Sequence, residues 1–293
     1  MRYRSKLAEV IARFSTLQGA NPTPVEGLTL YRSETTMPRM PVVYEPAICI
    51  VAQGRKQLFF GDQSRSYDPD NYLINSLTMP MEAEIQQVGP EQPYLGLAIK
   101  ADRTVVSQLM LEMGQTGNSI APPESTDIIM SSALTTRLSD CLIRLLECIE
   151  QPLDRQILGP SLQREIFYEV LKGPNGHLLR NCVTNHVGAN RIAPVVHFIE
   201  TNFQQSLDIN AIADVASMSP SSLHEHFKQA TSMSPMQFVK NLRLHRAHSM
   251  LLNGHQASEA CYQVGYSSPS QFSREFKRFF GDTPREVQAA ALR

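Results

Sequence analysis

Histidine is absent from the first 176 of the 293 residues. A metal centre built on clustered imidazole is thereby excluded from that stretch. Long apolar runs are lacking too, and none approaches the ~18 residues a membrane span needs. The N-terminus, Met1-Arg2-Tyr3-Arg4-Ser5-Lys6, is basic, but polar residues soon interrupt it where a secretory signal would be apolar. No G-x-S-x-G nucleophile motif occurs. The five cysteines (Cys49, Cys141, Cys148, Cys182, Cys261) are odd in number and form no C-x-x-C pair. They read as reduced thiols in a cytoplasmic protein. The carboxylates Glu82, Glu84, Asp68 and Asp70 read as exposed strand and turn residues rather than a cation cage. The expectation is a non-enzyme with no metal and no cofactor.

Strong net charge is the last absence, since the formal total is −1. It conceals an asymmetry: residues 177–293 carry 11 Lys/Arg against 8 Asp/Glu, a net of +3, and residues 1–176 carry the remainder, a net of −4. All eight histidines lie in the basic part. A length of 293 residues accommodates two domains at roughly 100–200 residues each.

From Leu28 to Lys100 the sequence reads as β. Short alternating or β-branched segments recur at 28–31, 47–51, 57–60, 72–74, 82–88 and 94–99, separated by Gly61-Asp62, Asp68-Pro69-Asp70-Asn71 and Gly89-Pro90. Such spacing predicts a small antiparallel barrel or sandwich, with Ile48, Ile50, Leu58, Phe60 and Leu97 in its core. The period then changes. Val105 to Gly114 reads as a helix, and Leu134, Leu138, Leu142, Leu145, Leu146 and Ile149 follow helical spacing over about five turns. That helix is the candidate for dimerisation, or it packs on the barrel. A third helix covers 161–171, and the domain boundary falls in 173–188. Beyond Ala193 everything reads as helix.

Residues 211–238 and 260–287 are one passage written twice, 49 positions apart, with eight identities that include Val215/Val264, Ser219/Ser268, Pro220/Pro269, Phe227/Phe276 and Lys228/Lys277. A repeat of this kind marks one supersecondary unit used twice. Each copy holds a short helix, a tight turn and a second helix with a strong start. Asp208 is placed to cap the first helix of copy one. Ser219-Pro220 and Ser268-Pro269 supply an N-cap followed by proline at the first helical position. Gln271 adds a capping-box partner. Gly265 suits a turn position with positive φ, where copy one has Ala216. Each second helix anchors through one apolar face (Leu223 and Phe227; Phe272 and Phe276) and presents small polar groups on the other. Those are the requirements of a helix-turn-helix recognition helix. Two such helices must sit roughly 34 Å apart to enter successive major-groove faces. The intervening helix, Met236 to about Leu252, spans roughly 25 Å at 1.5 Å per residue.

The C-terminal ~100 residues resemble the DNA-binding domain of the AraC/XylS family of bacterial transcription regulators. The likeness rests on Val264-Gly265-Tyr266, on Ser270 to Arg278, on Phe280-Gly281 and on Pro284, with weaker agreement in copy one. Around Tyr44-Glu45-Pro46-Ala47 and Tyr67-Asp68-Pro69 the N-terminal part is similar to the cupin-like effector or dimerisation domains found in one subgroup. The resemblance implies an α+β chain. A cupin-like antiparallel β-barrel with flanking helices occupies 1–175, and an all-α domain occupies 190–293, with helix-turn-helix motifs at 209–230 and 258–279 joined by a linker helix at 236–252. It implies base-facing Ser221, Ser222, His224 and Glu225 in copy one, and Ser270, Gln271, Ser273 and Arg274 in copy two. Arg274 is the foremost of these, because arginine donates two hydrogen bonds to guanine. Lys228, Lys277 and Arg243 are placed for phosphate or structural contacts. The implied partners are double-stranded promoter DNA, RNA polymerase, a small-molecule effector of unknown identity and a second copy of the chain, with no membrane. Two departures, Glu225 where the family commonly has arginine and Ser232 where copy two has glycine, lead to the expectation that copy two binds more stringently while copy one tunes. The rival reading, a barrel enzyme with a helical binding module, lacks both histidine ligands and a nucleophile motif.

Overall fold

A computed structural model describes residues 2–86, 88–115, 127–183 and 191–291. Helix α1 (Arg2–Phe14) leads into β1 (Gly19–Pro22), β2 (Leu28–Ser33), β3 (Met37–Tyr44), β4 (Ala47–Gln53), β5 (Arg55–Phe60), β6 (Gln63–Tyr67), β7 (Asn71–Asn75), β8 (Met79–Gln86) and β9 (Tyr94–Lys100). Helix α2 (Arg103–Gln115), strand β10 (Ile129–Ala133) and helices α3 (Thr136–Glu147), α4 (Pro152–Ile157), α5 (Gly159–Lys172) and α6 (Gly176–Asn181) follow. All strand pairs are antiparallel, in one sheet ordered β1-β2-β9-β4-β7-β10 and another ordered β3-β8-β5-β6. The expected β domain with flanking helices is therefore present.

One detail of the core differs from expectation. Ile48 pairs with Ile74 and Ile99, and Ile50 pairs with Leu97. These side chains share the outer face of the six-stranded sheet, which packs on α1 and α6, with α2, α3 and α5 in the same apolar cluster. The space between the sheets is filled instead by the alternate residues Cys49 and Val51, with Leu58, Phe60, Met79 and Met81. Both faces of β4 are buried, so its run of apolar residues carries no alternation to say which face is which. Full burial of each such side chain contributes roughly 1.5–3 kcal/mol.

Helix α3 is shorter than the predicted five turns. Thr135 Oγ1 accepts a hydrogen bond from Leu138 N at 3.2 Å, so the helix starts only after Leu134. Its apolar face lies against α1 and α5 and is spent on the interior, not left for a second copy. Basic residues of α1 meet the C-terminal end of α3, with Lys6–Glu147 at 3.1 Å and Arg13–Glu150 at 3.4 Å. All five cysteines are free and buried. The boundary stretch holds α6, which packs on α2, α5 and β7; residues 184–188 of it lie outside the described residues.

The second half is helical: α7 (Ile192–Asn202), α8 (Ile209–Val215), α9 (Pro220–Thr231), α10 (Pro235–Leu252), α11 (Ala257–Gln263), α12 (Pro269–Phe280) and α13 (Pro284–Ala291). The span 209–230 covers α8 and all but the last residue of α9, 236–252 lies within α10, and 258–279 covers α11 and α12 except for one residue at each end. Two apolar clusters organise them. The cluster between the sheets continues through α7, α8 and α9 into α10, where Phe227 and Phe238 meet edge to face at 5.3 Å. A separate cluster joins Leu244, Ala247 and Leu251 of α10 to Cys261, Val264, Phe272 and Phe276. Two of the histidines belong to this second seam. His248 stacks on Phe280 at 4.5 Å, and the buried His245 ring meets Phe279 and Phe280 edge-on.

The β half and the helical half touch directly. Helices α10 and α12 lie against β3. Glu45, between β3 and β4, pairs with Arg246 of α10 at 3.3 Å and with Lys100 at 3.4 Å. The β5–β6 turn approaches the end of α9 so closely that a side chain on Gly61 would collide with Ser232. Ser232 itself is left-handed (φ 61°), whereas the equivalent residue in copy two is Gly281 (φ 90°). Ser232→Gly should therefore raise stability by roughly 0.5–1 kcal/mol, as a left-handed residue loses its Cβ penalty. Denaturant unfolding of the full chain measures this, and a drop in midpoint would show that the Ser232 contact outweighs the backbone strain.

Candidate nucleic-acid interface and barrel cavity

Each recognition helix is started by the residues expected to start it. Asp208 accepts from Asn210 N at 3.2 Å at the head of α8. Ser219 accepts from Ser222 N at 3.2 Å, and Ser268 accepts from Gln271 N at 3.3 Å. Proline stands at the first position of both α9 and α12. The two turns differ by one residue. In copy two α11 ends at Gln263 and Gly265 takes φ 90°. In copy one α8 runs a residue further, Ala216 stays at φ −95°, and the left-handed position falls on Ser217 (φ 52°). Alanine resists positive φ, and serine with its short polar side chain tolerates it better. The equivalence of Ala216 and Gly265 is thus one of sequence, not of conformation.

Exposure sorts the candidates. Ser221, His224, Glu225 and Lys228 are exposed on α9, with Ser222 half-buried; Ser270, Gln271, Ser273, Arg274 and Lys277 are exposed on α12. On both helices the opposite face is buried, through Leu223 and Phe227 and through Phe272 and Phe276. Ser222 is partly engaged, since its carbonyl and hydroxyl both meet His226 Nδ1, at 2.8 and 3.4 Å. Arg243 sits apart from this face. Its guanidinium donates to Phe203 O and Gln205 O, both at 2.7 Å, tying α10 to the end of α7. These bonds serve the structural one of the two roles the sequence left open.

Gln271 also departs from expectation. Its backbone N–H takes the cap bond, but its side-chain amide runs along the helix to Glu275 Oε1 at 3.1 Å instead of closing the capping box. Glu275 accepts from Tyr266 O–H at 2.8 Å as well. Burial alone would raise the Glu275 carboxyl; hydrogen bonds from Gln271 and Tyr266 outweigh it and hold the group below its ordinary range. Tyr266 in the turn thereby fixes Glu275, and Glu275 in turn accepts from the Gln271 side chain. Sequence spacing could not show this relay, because its members lie on two elements.

Glu225 carries a prediction. If this face meets DNA, Glu225→Gln removes a carboxylate that would face phosphates, so affinity for all sequences should rise about two- to fivefold at low salt. Fluorescence anisotropy at two salt concentrations checks it. A loss confined to sites with one particular cytosine would make Glu225 a base reader instead.

In the β half, the two motifs that suggested a cupin-like domain converge. Tyr44 and Tyr67 bring their hydroxyls to 3.0 Å, and Asn75 Nδ2 holds the backbone of Tyr44 and Glu45 at 3.3 and 2.9 Å. Tyr44 and Tyr67 border a cavity of about 430 Å³ that also includes Tyr31, Cys49, Lys56 and Tyr94, with Glu45, Lys100 and Arg246 near one another on its wall. Of the other carboxylates, Glu82 is paired with Arg39 and Asp68 with Arg55.

Comparison with known proteins settles the family. The profile of the AraC-type transcriptional regulator N-terminus matches residues 24–178, and that of a helix-turn-helix domain matches residues 212–290. The chain belongs to the AraC-type transcriptional regulators. Among the relatives of this AraC-type chain is the HTH-type transcriptional activator RhaS of Escherichia coli O1:K1, 28% identical over 147 residues, which are 50% of this chain and 52% of RhaS. The chain spans about half the length of the curated relatives it matches. An apo ToxT variant from Vibrio cholerae shares the fold at a TM-score of 0.64 and 12% identity, over 90% of this chain and 97% of ToxT. Wild-type ToxT bound to an unsaturated fatty acid superposes at 0.60 and 12% identity, over 89% and 94%. A β half and a helical half of this fold thus occur together in solved structures.

Proposed function

We propose that this protein is a sequence-specific regulator of transcription that reads promoter DNA with α9 and α12 and is controlled by a small-molecule effector held in its β half. One observation carries the reading: the repeat produces two capped helices with matching apolar anchors, polar faces in solvent, and one helix between them. At 18 residues, α10 spans roughly 27 Å at 1.5 Å per residue, which with helix widths reaches successive major-groove faces. Ser221, His224, Ser270, Gln271, Ser273 and Arg274 are the base-facing set, Lys228 and Lys277 the phosphate-facing set. The effector biases how the halves sit against each other, through contacts such as Glu45–Arg246. Activation, by contact with RNA polymerase, is the sign we assign, and a homodimer through the β half is the oligomer. The cytoplasm is the compartment that fits these roles; among the described residues no helix is long and apolar enough to cross a membrane.

Footprinting of the full chain on the DNA upstream of its own gene tests the reading. Two protected major-groove faces about one helical turn apart are expected. Binding without sequence preference at physiological salt would sink it.

A further inference from the structure

Among the described residues that line the cavities of the β half, Lys56 is the cation whose charge is least accounted for. It lines the tyrosine-walled cavity and also a neighbouring one of about 710 Å³, and the two share Tyr31, Val42 and Tyr94 as well. Its Nζ lies 5.1 Å from the Tyr44 ring and 6.0 Å from the Tyr31 ring. Among the described residues no carboxylate or hydrogen-bond acceptor meets it. The other cations on these walls are spoken for: Lys100 and Arg246 share Glu45, and Arg32 is paired with Glu34 at 3.0 Å. Aromatic faces compensate an ammonium only weakly compared with an anion.

We infer that the cavity takes a small monocarboxylate with an apolar body, its anion held by Lys56 and its body by the tyrosine rings. The inference rests on the effector reading above and names the effector's chemical class. A single unpaired cation matches a single negative charge, whereas a phosphate ester would want the two cations that Glu45 already holds. The size of the cavity suits a small organic molecule, such sites running to about 300–1,000 Å³. Burial disfavours the unpaired ammonium, and an anionic guest would offset that penalty. The same burial pulls the Lys56 ammonium down to about 8 and pushes the Cys49 thiol up to about 12, so Cys49 supplies no counter-charge. Burial likewise raises Tyr44 and Tyr67, which remain hydroxyl donors beside the lysine. At 12% identity the fatty-acid-bound ToxT structure lends the fold alone, and the assignment stands on Lys56 and its surroundings.

Calorimetric titration of the full chain with octanoate and benzoate, and with octanol and benzyl alcohol as neutral counterparts, tests this. Each carboxylate should bind about ten- to a hundredfold more tightly than its alcohol, the ratio equivalent to one charge-assisted hydrogen bond. Lys56→Met should erase that preference and Lys56→Arg should keep most of it. If the alcohols bind as tightly as the carboxylates, or Lys56→Met retains the preference, the anion assignment is overturned while the cavity remains an effector site. The wild-type comparison decides this even if Lys56→Met does not fold. Absence of binding by either series, in protein that still binds DNA, also overturns it. The effector reading fails separately, if the carboxylates bind as expected and DNA affinity does not move.

Discussion

Gly265→Ala is expected to cost the helical half roughly 2–4 kcal/mol, the sum of left-handed strain and overpacking. Two independent features of the site lead there. The residue holds φ 90°, which alanine resists. A Cβ added to it would also fall on the carbonyl oxygen of Gln204, a backbone atom that no side-chain rotation can move aside. The damage should centre on the cluster around Cys261, Val264, Phe272 and Phe276, and it should misplace α12 on DNA. Denaturant unfolding followed by a probe in that cluster measures the loss. Ala216→Gly is the control. Ala216 already has φ −95°, so the change should be small despite the matching position in the repeat. A cost for Gly265→Ala below about 0.5 kcal/mol, the range of ordinary surface substitutions, would mean the turn can rearrange as copy one does.

Arg274→Ala should weaken binding to the cognate site by about 1–3 kcal/mol, roughly five- to over a hundredfold, and relax the preference at one base pair. Among the described residues Arg274 has no intramolecular partner, and it is exposed beside Ser270, Gln271 and Ser273. The substitution should therefore leave the helix undisturbed, so that a loss of affinity reports the proposed contact alone. Lys277→Ala should behave differently, weakening all sequences alike and lowering the salt slope by about one. Gel-shift titrations on a cognate site and a set of point-substituted sites, each at two salt concentrations, separate the two. If Arg274→Ala left both the preference and the salt dependence untouched, copy two would not be the reader.

What could be read from the sequence followed how much each element announces itself locally. Caps at Asp208, Ser219 and Ser268 and the apolar anchors of α9 and α12 were visible because each is decided within four residues. Strands β1, β3, β6 and β10 were not. Strand β3 carries Pro38 and Pro41, which normally argue against a strand, and it tolerates them by pairing only with β8 at a sheet edge. Strand β6 is polar and also an edge, so it lacks the apolar alternation that marks a half-buried strand. The burial of β4 on both faces hid which of its side chains point between the sheets. Nor could the cavity be seen: Lys56, Tyr31, Tyr44, Tyr67 and Tyr94 come from five strands, and only the fold brings them together. The one-residue offset between the turns is not legible in the sequence either, because aligned letters do not reveal φ.

The seam between the two apolar clusters falls inside α10, near Leu242 and Leu244, and not between the β half and the helical half. Cooperative unfolding should respect that seam. The barrel and copy one would then melt and exchange their amide protons as a single unit, and copy two as another, with one continuous helix shared between them. A small molecule that tightens the barrel would accordingly slow exchange throughout α8 and α9 while leaving α11 and α12 nearly as they were. The two recognition helices, twins in sequence, would answer the same signal with unequal stiffness.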